Sequence, residues 1–79
     1  MNIKYDKVAD AKYIRFSEGE VASTKKENNW LIFDYSKDGQ VLGLEILDAS
    51  KNLLCVHAID GKFVKYYKVE QSSPIEIDS

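Results

Sequence analysis

Four carboxylates crowd one short stretch of the chain: Asp34, Asp38, Glu45 and Asp48. Acids grouped in this way could hold a hard cation through oxygen ligands, or work as an acid–base pair in hydrolysis. A calcium loop, however, needs oxygen ligands at several alternate positions and a closing acid. Ser36 and Asp38 supply two, but Gln40 and Leu42 do not continue the series. Asp38-Gly39 is better explained as a turn, since both residues favour turns for backbone reasons. A paired-carboxylate hydrolase also needs a cleft, and 79 residues leave little room for one.

Cys55 and His57 lie two apart and share one face of any strand that carries them. A thiol with a histidine base is a known nucleophile pair. An i, i+2 pair along one strand suits that geometry poorly, and no orienting acid is evident. Set among Leu53, Leu54, Val56, Ala58 and Ile59, Cys55 reads as a small buried hydrophobe. The third constellation interleaves aromatics with bases, in Lys12-Tyr13-Ile14-Arg15-Phe16 and in Lys62 to Lys68. Were these strands neighbours, Tyr13, Arg15, Tyr66 and Lys68 would form one face able to stack on bases and contact phosphates. The same face is equally a surface for a protein partner, where Tyr and Arg are over-represented. Amphipathic strands also place Tyr and Lys on the wet side with no function implied.

These groups must be positioned by strands. Ile3 and Tyr5 alternate with Lys4, and Ile14 and Phe16 alternate with Tyr13 and Arg15. Asp6 is a good cap for one helical turn over the residues that follow. Val21 to Glu27 reads as a short, lysine-bearing edge strand and loop, a common defence against sheet-to-sheet association. Trp30 to Tyr35 and Val41 to Leu47 form a hairpin across Ser36-Lys37-Asp38-Gly39. Leu42, Leu44 and Ile46 then make one face, and Val41, Gly43, Glu45 and Leu47 the other. A glycine inside a strand marks a bulge or a close approach, here by a ring such as Trp30 or Tyr35. Beyond Asp48 the pattern predicts a short helical turn near residues 49–52, then a hairpin from Leu54 to Val69 turning at Asp60-Gly61. The alternative is a helix from Lys51 to about Ile59, capped by Ser50 and ended by Gly61. The fold class that follows is α+β: a small antiparallel meander with one short helical element, as one domain over residues 1–70, with a mobile tail over 71–79.

Composition narrows the function. The chain is 44% hydrophobic and 30% charged, ordinary for a folded domain, and its net charge is −2. Interspersed charge of that sign weighs against generic nucleic-acid binding. No run of 18 apolar residues predicts a membrane span, and the first residues lack the apolar stretch of a signal peptide, so the expected location is the cytoplasm. One cysteine precludes an internal disulfide and fits a reducing compartment. A chain of this size buries only about 60% of its unfolded surface, so a homodimer is a reasonable source of added stability.

Two blocks carry a family resemblance. The first runs from Tyr5-Asp6 through Ala9-Asp10-Ala11 to Tyr13-Ile14. The second has an apolar residue before Asp34, then Asp38-Gly39, Val41, Gly43 and Glu45-Ile46-Leu47-Asp48-Ala49-Ser50. In this order and spacing they resemble the YuzE-like family of short bacterial domains of unknown function, over about Met1 to Leu53. The chain departs from that pattern at Lys25-Lys26, where acids are usual, and after Leu53. The resemblance implies a small meander with a helical element and no established activity, so no catalytic residue is carried over. Genes of this kind often sit beside another small gene in toxin–antitoxin-like pairs. The expected function is therefore a non-catalytic interaction module that self-associates or binds a small protein partner, antitoxin-like in role, with Tyr13, Arg15, Tyr66 and Lys68 as its surface. Nucleic-acid binding, and a metal or hydrolytic site on Asp34, Asp38, Glu45 and Asp48, stand as alternatives. No catalytic residue, metal or cofactor is assigned.

Overall fold

The structure, a computed structural model, describes residues 1–69. Seven strands follow one another: β1 (Asn2–Asp6), β2 (Ala11–Arg15), β3 (Ser23–Asn28), β4 (Leu31–Tyr35), β5 (Val41–Leu47), β6 (Leu54–Ile59) and β7 (Lys62–Lys68). The first five make one antiparallel sheet in the order β1-β2-β5-β4-β3, and β6 and β7 pair as a separate hairpin. β3, β4 and β5 are a meander, while β2 reaches the far side of it by the long connection after Phe16. That placement of β2 beside β5 makes a Greek key of β2, β5, β4 and β3.

No helix occurs among the described residues, so the expectation of an α+β fold with a helical element is overturned: the domain is all-β. Both candidate helical turns are tight strand connections. After β1, Asp6 does accept from the amides of Val8 (3.0 Å) and Ala9 (3.1 Å), as a cap would. The chain then reverses at Asp10, in the left-handed region at φ 52°, which Asp tolerates better than most residues. After β5, Lys51 N donates to Asp48 O at 2.9 Å and Asn52 N to Ala49 O at 3.3 Å. These three-residue steps cannot grow into a helix, because a single turn does not repay the cost of nucleation and β6 begins two residues later. The expected mobile tail over 71–79 lies outside the described residues.

Alternation decides what is buried. Ile14, Leu31, Phe33, Leu44 and Ile46 share one face of the sheet and form the core with Phe16 and Ala49. The β6–β7 hairpin covers that face with Leu54, Val56, Ala58, Phe63 and Tyr66. Phe63 packs 5.4 Å from Phe16 and 5.7 Å from Phe33, near edge-on to the latter. The hairpin turns at Asp60-Gly61 with both φ positive, which a two-residue turn matching strand twist requires.

A bulge modifies the expected faces of β5. Asp34 pairs with Gly43 but Tyr35 with Val41, leaving Leu42 as the extra residue. Val41 consequently packs against the core cluster, whereas Leu42 is buried outside it, beneath Gly19.

Candidate functional site

Two aspartates gather most of the side-chain hydrogen bonds that join distant parts of the chain. Asp10, at the end of the β1–β2 turn, accepts from Tyr5 Oη at 2.7 Å through one oxygen and from Ser50 Oγ at 2.7 Å through the other. The Ser50 amide donates to the same carboxylate at 3.1 Å, and the Ala49 amide to the Asp10 carbonyl at 2.8 Å. The turn after β5 is thereby tied to the turn after β1. Hydrogen bonds from Ser50 and then Tyr5 favour the charged form, so the Asp10 carboxyl titrates below its usual value. The same bond pushes the Tyr5 phenol up.

Asp34 is the second hub, on the face of the sheet away from the core. Tyr13 Oη donates to Oδ2 and Thr24 Oγ1 to Oδ1, both at 2.7 Å, linking β2, β4 and β3. The ring of Tyr13 reaches Asp34 by lying across Gly43. A Cβ at that position would sit 2.8 Å from Tyr13 Cζ and 2.9 Å from the Ile14 carbonyl oxygen. Gly43 is therefore both beside a bulge and under a ring, but the ring is Tyr13, not Trp30 or Tyr35. Burial, then the bond to Asp34, raises the Tyr13 pKa.

The four acids first considered do not converge. Asp34 serves Tyr13 and Thr24; Asp38 accepts from Ser36 Oγ within its own turn, which lowers its pKa. Glu45 sits opposite Tyr13 and Ile32 in the sheet, and Asp48 shapes the turn after β5 at φ 50°. Asp38 and Asp48 lie beyond opposite ends of β5, about 20 Å apart at the rise of an extended strand. Among the described residues no group of three or more His, Cys, Asp or Glu side chains is placed to hold a metal.

Cys55 and His57 do share a face, but it is the hairpin face turned from the core. Cys55 is half-buried rather than buried, opposite Tyr67, whose phenol its thiol pushes up in pKa. His57 is exposed opposite Lys65, with its ring 6.3 Å from that of Tyr67.

The surface predicted from Tyr13, Arg15, Tyr66 and Lys68 is not brought together. β2 and β7 are not neighbours. Tyr13 and Arg15 flank Ile14 and point to the outer face, where Arg15 is held by the carbonyls of Ser17 (2.8 Å) and Gly19. Tyr66 belongs to the opposite side, packed 5.7 Å from Phe33 with its hydroxyl 3.5 Å from Glu27 Oε2. Burial and Glu27 raise its pKa. Lys68 places its ammonium 4.9 Å over the ring of Trp30. Asn2, Lys4 and Glu18 join Tyr13 and Arg15 around a hollow of about 240 Å³ on the outer face.

Sequence reasoning missed both hubs. Their signal was present: Tyr5, Asp10, Tyr13, Asp34, Gly43 and Ser50 all stand in the two blocks that carry the family resemblance. What the blocks share in space is architecture, since each hub joins a residue of the first block to one of the second.

The fold and these hubs define an all-β domain in which the distinctive polar residues bind strands and turns to one another. The chain belongs to the family described as a protein of unknown function (DUF2283), which matches residues 2–50. No curated protein and no solved structure matches it. The match ends within the turn before β6, so the hairpin that covers the core lies outside it. No helix among the described residues is long and apolar enough to cross a membrane.

Proposed function

We propose that this domain is a non-catalytic protein-interaction module, acting by self-association or by capture of a small protein. The observation that supports this reading is how the polar side chains are used. Asp10 and Asp34, the two carboxylates at the hubs, are each occupied on both oxygens by donors from within the fold. Large apolar side chains are meanwhile left exposed along β1 and the residues on either side of it: Met1, Ile3, Tyr5 and Val8. Exposed apolar groups gathered in one region mark interaction surfaces in small soluble domains. The finer assignment to the YuzE-like group rests on the motif residues, and an antitoxin-like role rests on that resemblance in turn. A cytoplasmic setting belongs to the same proposal, supported by the free thiol of Cys55.

Light scattering on the purified chain, together with affinity capture from its host and mass spectrometry, tests the reading. The expected result is a concentration-dependent dimer or one stoichiometric partner. A strict monomer at high micromolar concentration that captures no stoichiometric protein would overturn it.

A further inference from the structure

The sheet has two edges of opposite character. β3 reads Ser-Thr-Lys-Lys-Glu-Asn, carries no large apolar residue, and breaks register between Lys26 and Asn28. Lysines and an irregular register are both means by which an edge is kept from pairing with another strand. β1 carries a single lysine, Lys4, and no irregularity. Its register with β2 is unbroken over all five residues, and among the described elements it packs only on β2. Every one of its residues is exposed, with Ile3 at 57% and Tyr5 at 51%. The free backbone donors and acceptors of such an edge are complementary to one kind of ligand, another extended strand.

Resting on the interaction-module reading, we infer that β1 pairs antiparallel with β1 of a second copy of this chain, about a two-fold axis at Lys4. The two five-stranded sheets then join into one of ten. The strand's own sequence supports this occupant. Centred on Lys4, all five residues find partners, and on the core-side face Ile3 meets Tyr5 of the second copy twice. Aromatic and β-branched residues opposite one another are among the favourable cross-strand pairs. On the other face the two Lys4 side chains stand opposite, an unfavourable pair that Asp6 of the second copy, on the diagonal of each, offsets. The register also sets Ile3 of the second copy beside Tyr5, at the rim of a hollow of about 380 Å³ lined by Tyr5, Lys12, Ala49, Ser50 and Leu53. A five-residue ladder with these side chains is smaller than a standard interface, so association is weak and depends on concentration.

The experiment combines cross-linking with light scattering on the full chain, in a Cys55→Ser background. Opposite residues of an antiparallel pair have Cα atoms about 4.5–5.5 Å apart, within disulfide range. Lys4→Cys should therefore give a covalent dimer on mild oxidation, while Lys26→Cys on β3 should stay monomeric. Ile3→Lys, at a site already open to solvent, should weaken association by about tenfold or more, the equivalent of 1.4 kcal/mol. Its melting temperature at high dilution should be unchanged, which separates loss of pairing from loss of folding. A dimer that cross-links through Lys26→Cys or ignores Ile3→Lys would overturn the β1 assignment and leave the module reading standing. A strict monomer would overturn the self-pairing, and the captured-partner measurement then decides the module reading by itself.

Discussion

In the five-stranded sheet, Leu31 and Leu44 are fully buried and every other side chain of the core cluster is nearly so. In the β6–β7 hairpin lying on it, no residue is buried: each is half-buried or exposed. The sheet is bound along its length by backbone ladders and across its turns by the Asp10 and Asp34 hubs. The hairpin is held to it chiefly by side chains, above all Phe63 and Tyr66 against Phe16 and Phe33. The family match covers the sheet and stops before the hairpin. The difference teaches that the matched region supplies the buried face, and that the hairpin supplies the half-exposed layer that closes it.

The sharpest way to break that contrast is at the centre of the sheet. Leu44→Ala, at a fully buried site, should cost about 2–5 kcal/mol in urea unfolding. A loss below about 1 kcal/mol would mean that the core is not where the burial places it.

Gly43→Ala probes the outer face next, because the added methyl collides with the Tyr13 ring and with the backbone of Ile14. A loss of about 1–3 kcal/mol is expected. Combining it with Tyr13→Ala should be clearly less than additive, since both changes act on one contact. Strict additivity would show that the ring does not rest on the glycine.

Phe63→Ala should cost less than Leu44→Ala, as its ring is only half-buried. Its signature is local: amide exchange should speed up in β6 and β7 while β4 and β5 keep their protection. Uniform loss of protection would instead make sheet and hairpin one cooperative unit.

The smallest effect concerns pH. The Asp10 carboxyl titrates lower in the folded chain than in the unfolded one, where it lies near 3.8. Its contribution is therefore whole above about pH 4 and is lost as pH falls through the folded value. Asp10→Asn should flatten that part of the acid-unfolding curve and leave its shape above pH 5 unchanged. An unaltered acid limb would remove the Asp10 hub from the account of stability.

Much of this fold was legible in the chain as written. The alternation of Ile14 and Phe16 with Tyr13 and Arg15, the lysine-bearing edge at β3 and the turns at Asp38-Gly39 and Asp60-Gly61 all follow from local rules. Period-two patterning and the backbone habits of Asp and Gly act over a few residues, so they need no partner to be read. The helical element failed at the same scale. Asp6 does cap the amides ahead of it, but a cap only permits a helix, and four residues between paired strands leave no length for one.

The candidate site was less legible, because its geometry is non-local. Tyr13 and Arg15 share the outer face as their spacing implied, yet Tyr66 and Lys68 lie across the core from them. Any two amphipathic strands satisfy the same pattern, and only the order of pairing says which meet. Sequence alone determined that the chain is built from short antiparallel strands, where they turn, and which side chains seek the interior. Tertiary structure alone decided that β2 lies beside β5, that Tyr13 crosses Gly43 to reach Asp34, and that Asp10 holds Ser50. Burial preference belongs to each residue, whereas strand order is settled only when the whole set of faces and edges is satisfied at once.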